Sequence, residues 1–395
     1  MSSILNNSNA NSSLINTINA SDSKMNPNVY STKKIYPAAA VVYQKTDKSS
    51  GTIGASQTIS FDLMKYGIAQ QILFCYTKVG TGGTTATSAF DFLDVIDRIE
   101  LLSSSKVIDT LTNRDIIAQL SDLEYSQYYP LKETLVKARA AAAGKTSNLF
   151  VVPLVFGFFK DINTNLNLQF NEPMSIRVKF GANVDYGTDA TLTDCFLKLR
   201  YKAYNEADYS EVLTQNYSEP ELNVMTTGFY DENIAVASLA TGATNNGVNG
   251  TPVELKNTDC VNSFYVMVRE QATDNSPPLQ ISRVVMTASG QDIFDLSGEE
   301  LYYSKLCENG FSISGASDET QHVVKIQTGL WEYSGGGTQS NTMSLRELNN
   351  PVIRVYFNVA TLAAAKKYEV SVCEEAVKIV TTISSSGRCQ TSLTN

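Results

Sequence analysis

A single histidine, His322, sets the first bound on chemistry in this 395-residue chain. A Ser–His or Cys–His nucleophile would have to use it as base, and a metal centre of several imidazoles cannot be assembled. It lies in "DETQHVVKIQ", at the entry to a strand, the usual place of a structural imidazole. Six cysteines (Cys75, Cys195, Cys260, Cys307, Cys373, Cys389) are scattered without a CxxC pair. That pattern suits buried free thiols in a reducing compartment better than a disulfide framework. "AAAAGKTS" at Ala140–Ser147 resembles the end of a phosphate-binding loop, but Arg139 stands where the first glycine is needed. A strand follows it where the motif needs a helix. The plainer reading is a helix over Leu131–Ala143 closed by Gly144. "GTGG" at Gly80–Gly83 reads as a hairpin loop.

Carboxylate pairs add little. Glu299–Glu300 and Glu374–Glu375 read as helix-start and solvent-face charges. A glycosidase needs two carboxylates facing each other across a cleft, which spacing in a β protein does not reveal. Trp331 and the tyrosines could stack on sugars, yet strand aromatics more often serve a core or an interface. The expectation is no catalytic, cofactor-binding or metal-binding residue, and no cofactor.

Composition narrows the class further. A hydrophobic fraction of 43% with 18% charged residues fits a soluble protein with a substantial core, and the length favours two modules. A net charge of −9 argues against direct, sequence-specific nucleic-acid binding. The first residues carry no basic leader, so no secretory signal is expected. The longest apolar run, Leu149–Phe159, contains Pro153 and is too short for a membrane helix.

The elements that would position any site are mostly strands. Residues 1–35 are rich in Asn and Ser and read as a flexible arm. From Gln57 onward, alternation dominates. Ile59, Phe61 and Leu63 face one way in "TISFDL", as do Leu166, Leu168 and Phe170 in "NLNLQF". Leu197, Leu199 and Tyr201 alternate with Lys198, Arg200 and Lys202. Period two with one polar face predicts antiparallel sheets. Helical signals are few. "TNRDIIAQLSDL" puts Ile116, Ile117, Leu120 and Leu123 on one face, with Thr112 as cap and Asp115 at the third position. "SGEELYYSKL" repeats the device with Ser297 and Glu300, a capping box.

Those two caps lie 185 residues apart, and so do the stretches before them. "IDRIELLSSSKVIDTL" (Ile96–Leu111) is echoed by "ISRVVMTASGQDIFDL" (Ile281–Leu296). "IRVKF" at Ile176 returns as "IRVYF" at Ile353, an offset of 177. "FGFFK" and "TGLWE" are 172 apart, and "DLMKYGIAQQILFCY" and "ELKNTDCVNSFYVMV" are 192 apart. Preserved order with drifting offset means two diverged copies of one β module. Several short strands per copy suit an eight-stranded jelly roll, with an immunoglobulin-like sandwich left open by periodicity.

With the duplication, the sequence resembles the double jelly-roll major capsid proteins of the adenovirus–tectivirus lineage, which includes the large nucleo-cytoplasmic DNA viruses and polinton-like viruses. "LFVVPLVFGFFKDINTNLNLQFNEPMSIRVKF" carries the likeness in the first copy. "TPVELKNTDCVNSFYVMVREQ" and "ISRVVMTASGQDIFDLSGEEL" carry it in the second. Val152-Pro153-Leu154 matches the family's apolar-Pro-Leu pattern, the second copy lacks that proline, and the connection after Tyr204 has no counterpart. The resemblance implies an all-β fold of two tandem eight-stranded jelly rolls with a few short helices in loops. Its expected limits are an arm at 1–50, jelly rolls at 51–205 and 251–385, a connection at 206–250 with one or two strands of its own, and a tail at 386–395. It further implies a non-enzymatic virion protein, made inside the host cell. The implied partners are a homotrimer, neighbouring capsomers, minor capsid or penton proteins and an internal membrane beneath the shell. The alternative is a two-module β-sandwich that binds carbohydrate or acts as an adhesin. An enzyme on a jelly-roll scaffold is the third reading.

Overall fold

A computed structural model describes residues 40–81, 95–122, 136–141, 145–159, 168, 172–181, 190–203, 221–271, 279–301, 323–328, 342–383 and 388–393. The first copy contributes β1 (Ala40–Asp47), β2 (Ser50–Gly51), β3 (Thr58–Asp62), β4 (Ile68–Thr81), β5 (Ile96–Ser103) and β6 (Lys106–Thr112). Helix α1 (Asn113–Asp122), β7 (Val136–Ala141), β8 (Lys145–Pro153), β9 (Met174–Phe180) and β10 (Ala190–Ala203) complete it. The second copy contributes β11 (Glu221–Leu239), β12 (Thr251–Glu254), β13 (Cys260–Glu270), β14 (Ile281–Ala288) and β15 (Gln291–Ser297). It continues with β16 (Val323–Gln327), β17 (Met343–Ser344), β18 (Val352–Phe357), β19 (Lys366–Ile383) and β20 (Arg388–Leu393).

Strand order is what identifies the architecture. In the first copy one sheet runs β1-β10-β4-β8-β7 and the other β2-β3-β9-β5-β6. In the second, the orders are β11-β19-β13-β16 and β12-β18-β14-β15. Setting aside the small additions β2, β7, β17 and β20, each copy has eight strands. One sheet holds the first, eighth, third and sixth, and the other the second, seventh, fourth and fifth. That interleaving is a jelly roll, and it occurs twice. The stretch read as a connection thus contains β11, which pairs with β19 from Glu221↔Ile383 to Leu239↔Lys366.

The alternation in the sequence becomes burial. Ile59, Phe61 and Leu63 are buried, as are Leu197, Leu199 and Tyr201, while Lys198 and Arg200 face solvent. Between the first pair of sheets, Tyr76 stacks on Phe150 with centroids 4.8 Å apart, and Phe61 meets Phe74 edge-on at 6.1 Å. In the second, Phe357 lies 5.4 Å from Tyr368. Such contacts add to the burial of large apolar area that drives the sandwich together. The "NLNLQF" strand falls mostly outside the described residues; of its apolar positions, Leu168 is buried in a turn.

The duplication is visible in backbone irregularities as well as in order. A register shift between Ile96 and Arg98 against β9 recurs between Ile281 and Arg283 against β18. The shift between Leu101 and Leu102 recurs between Met286 and Thr287. In the hairpin turns, Ser104 has φ 54° and Ser289 φ 53°, a left-handed conformation uncommon for serine. Each donates its N–H to the loop before the copy's penultimate strand, to the carbonyl of Pro173 or Asn349, at 2.8 Å in both. Bulges aim side chains and persist as built features. The shifted positions and the serines match at an offset of 185, and the two acceptors, Pro173 and Asn349, at 176.

Both capping boxes form. Asp115 N–H donates to the Thr112 hydroxyl and Thr112 N–H to the Asp115 carboxylate; Glu300 N–H and Ser297 N–H make the same exchange. One expectation fails. Residues 136–141, within the stretch expected to be helical, form strand β7, paired from Val136↔Phe150 to Ala141↔Lys145. Alanine favours a helix only by tenths of a kcal/mol per residue, and hairpin pairing onto the edge of a formed sheet outweighs it. Of the phosphate-loop lookalike, Ala140 and Ala141 end β7 and Lys145–Ser147 open β8, while residues 142–144 lie outside the described residues.

Candidate functional site

The described residues hold no group of three or more metal-capable side chains. No described helix is long and apolar enough to cross a membrane. His322 and Trp331 lie outside the described residues; β16 begins at the residue after His322. Glu300 is engaged in its capping box, and the bonds from Ser297 hold its carboxyl below the usual range. What the fold does build is a polar and apolar seam between its two jelly rolls.

Helix α1 makes that seam. One face of it, with Ile116, joins the first core. The opposite face carries Arg114, Asp115 and Ala118 onto the outer surface of the β11-β19-β13-β16 sheet. Ala118 packs on Tyr265 and Cys373, and Met267, Val323 and Val380 of the second copy join the first copy's core. Arg114 donates to Glu369 at 2.8 Å and to Asp231 at 3.3 Å. Asp231 reaches it because β11 bulges between Tyr230 and Asn233. Lys378 pairs with Asp109 at 2.9 Å, and Gly157 N–H donates to the same carboxylate at 3.3 Å. Gly228 keeps that path open: a Cβ there would sit 2.4 Å from the Lys378 side chain.

Asp115, Glu374 and Glu375 join Asp109 as buried acids in and beside the seam. Burial and the neighbouring Asp231 push the Asp115 carboxyl well up, and Asp115 in turn raises the Cys373 thiol beside it, which burial has already raised. Glu374 and Glu375, expected to face solvent, are both buried, at 0% and 5% exposure. They are neighbours on a strand and point to opposite faces, and each face is covered. Asn233 donates to Glu374 at 2.6 Å from inside the sandwich, and the Tyr265 hydroxyl donates to Glu375 at 3.2 Å in the seam. Burial pushes Glu374 up to about 7.

A carboxyl whose folded pKa is raised binds its proton more tightly when folded. Its contribution is complete below the unfolded value, about 4.3 for Glu, and is lost as pH rises through about 7. Glu374→Gln should therefore raise the melting temperature at about pH 8.5 and change it little at about pH 5. Calorimetry across that range checks the sign; a variant destabilised most at high pH would contradict it.

A second surface lies open. On the outer face of the β1-β10-β4 sheet, Lys45 and Lys198 approach the Phe196 ring at 4.4 and 6.0 Å, and Arg200 lies 5.8 Å from the Tyr43 ring. Tyr43 is 72% exposed on edge strand β1. Of the cysteines, Cys75, Cys195 and Cys373 are buried free thiols and Cys260 is half-buried and free.

No family model matches the chain, and no curated protein matches it. Solved structures do. A chain of the PBCV-1 virus capsid is similar with a TM-score of 0.68 and 11% identity, over 92% of this chain and 100% of that one. The Faustovirus major capsid protein gives 0.59 and 9%, over 89% and 92%. The mavirus major capsid protein gives 0.57 and 11%, over 92% and 93%. At such identities the likeness is one of fold. The chain is a double jelly roll, the fold of these viral major capsid proteins.

Proposed function

We propose that the chain is a major capsid protein, three copies of which form a pseudo-hexameric capsomer that tiles an icosahedral virus shell. The observation that carries this is the pair of complete jelly rolls fixed side by side through a buried seam, over nearly the whole length of known capsid chains. Two similar but chemically distinct modules let a trimer present six flanks to a lattice while keeping closed three-fold symmetry. The two jelly rolls proposed begin at β1 and β11, earlier than the expected limits of 51 and 251, and run through β10 and β19. The role is structural, without an enzymatic step, and the place is the virion. Partners would be two further copies, neighbouring capsomers, minor or penton proteins, and a membrane beneath the shell met by the arm.

Native mass spectrometry of the full chain tests the trimer. The expected species is three chains at micromolar concentration. A monomer at that concentration overturns the proposal.

A further inference from the structure

An asparagine followed by glycine is prone to lose its side-chain amide, because glycine carries no Cβ to hinder its own backbone nitrogen. That nitrogen gives up its proton and attacks the asparagine Cγ; the Cγ–nitrogen bond of the amide breaks, ammonia leaves and a cyclic succinimide closes. Water then opens the ring at either carbonyl, giving aspartate or isoaspartate. Only water is consumed, and no oxidant, reductant or cofactor takes part. The sequence places Asn-Gly at Asn246, Asn249 and Asn309, the last outside the described residues. Asn246 and Asn249 share the loop between β11 and β12, and the fold treats them in opposite ways.

Asn246 is held on every side. Its amide nitrogen donates to the Thr251 hydroxyl at 2.9 Å and to the Val355 carbonyl at 2.8 Å, and its side-chain oxygen accepts from the Phe357 N–H at 3.1 Å. Those partners belong to β12 and β18, so this side chain pins the loop to the end of a sheet. The Gly247 nitrogen is engaged as well, donating to the Asn245 side-chain oxygen at 2.9 Å. Turning the Asn246 amide onto that nitrogen would break all of these bonds.

Asn249 is free to turn. It is exposed, and its side chain makes no hydrogen bond among the described residues. Its backbone is nonetheless fixed. Gly250 N–H donates to the Gly247 carbonyl at a long 3.3 Å, closing a turn over Val248 and Asn249, and Arg354 donates to the Asn249 carbonyl at 3.3 Å. Nor can the following glycine give way to a residue that would shield the amide. Gly250 has φ 60°, and a Cβ there would lie 2.9 Å from the Tyr356 ring. The packing that demands glycine at this position keeps its nitrogen open to the side chain before it.

We propose that Asn249 is a site of spontaneous, one-way deamidation, and that its sheet-end hydrogen bonds protect Asn246 in the same loop. The product carries a carboxylate where the loop held a neutral amide, beside the Arg354 guanidinium that already meets the Asn249 carbonyl. The isoaspartyl form also lengthens the main chain by a methylene next to the Gly250–Tyr356 contact. This end of the second jelly roll therefore gains negative charge with age, while Asn246 keeps β12 and β18 tied to the loop.

Peptide mapping by mass spectrometry tests this, with the folded full-length chain and a guanidinium-unfolded sample incubated side by side in heavy-oxygen water at mildly alkaline pH. In the folded chain Asn249 should convert at least about tenfold faster than Asn246, whose side-chain bonds must be released first. In the unfolded sample the two should convert at similar rates, since both precede glycine. Asn249→Gln should leave the loop peptide of the folded chain free of heavy oxygen. Equal conversion of the two asparagines in the folded chain overturns the proposal. So does an Asn249 that keeps its amide over the time in which the unfolded sample loses it.

Discussion

Phe180→Ala and Phe357→Ala should each destabilise the protein by about 3–5 kcal/mol, the usual cost of a large cavity in a packed core. Both rings are 0% exposed and close equivalent strands, β9 and β18, at an offset of 177. The more telling expectation concerns cooperativity. Met267, Val323 and Val380 belong to the second copy yet pack into the first core. A cavity in either jelly roll should therefore lower the melting temperature of a single transition. Differential scanning calorimetry reads this directly. Two separated transitions, with only the mutated half shifted, would show that the seam does not couple the copies.

The second large effect is expected at Arg114. Its side chain is 22% exposed and is bonded to two carboxylates that are themselves 19% and 26% exposed. Arg114→Ala leaves Asp231 and Glu369 facing each other near buried Asp115 without a cation. Breaking a buried pair from one side costs about 3–5 kcal/mol, and partial solvent access here places the loss at about 2–3 kcal/mol. Neutralising the orphaned acids as well, with Asp231→Asn and Glu369→Gln, should recover part of it. Denaturant titration of the three variants checks the order. Equal stability of Arg114→Ala and the parent would remove the ion triad from the account of the seam.

Much of this fold was legible because period two and cap chemistry are local properties. Ile59, Phe61 and Leu63 needed only a pleat to find the core, and Thr112 and Ser297 needed only a helix start. Comparing the two copies added what neither could offer alone, since a left-handed serine such as Ser104 leaves no mark in composition. The β7 strand was misread because its alanines and lysine obey helix propensity, while its pairing with β8 is set by the sheet beside it. The seam was the least visible part. Arg114 and Asp115 look like ordinary first-turn charges, and Glu374–Glu375 like a solvated pair. Packing of one jelly roll on the other covers Arg114, Asp115 and Glu375, and the interior of the second sandwich covers Glu374. The bulge that aims Asp231 at Arg114 is likewise a property of pairing and leaves no trace in residue type.

An interface strand and a core strand alternate alike, and this limited what sequence could say about assembly. The difference in exposure between Ile108 and Ile293, two isoleucines in equivalent strands, carries that information instead. It marks β6 as covered within the chain and β15 as open among the described residues.

Electron microscopy of the purified full-length chain tests the central claim most directly. The account predicts pseudo-hexagonal particles of three chains, each showing two upright sandwiches, that tile into sheets or closed icosahedral shells. A field of single, unassociated two-lobed particles across conditions that favour assembly would contradict it.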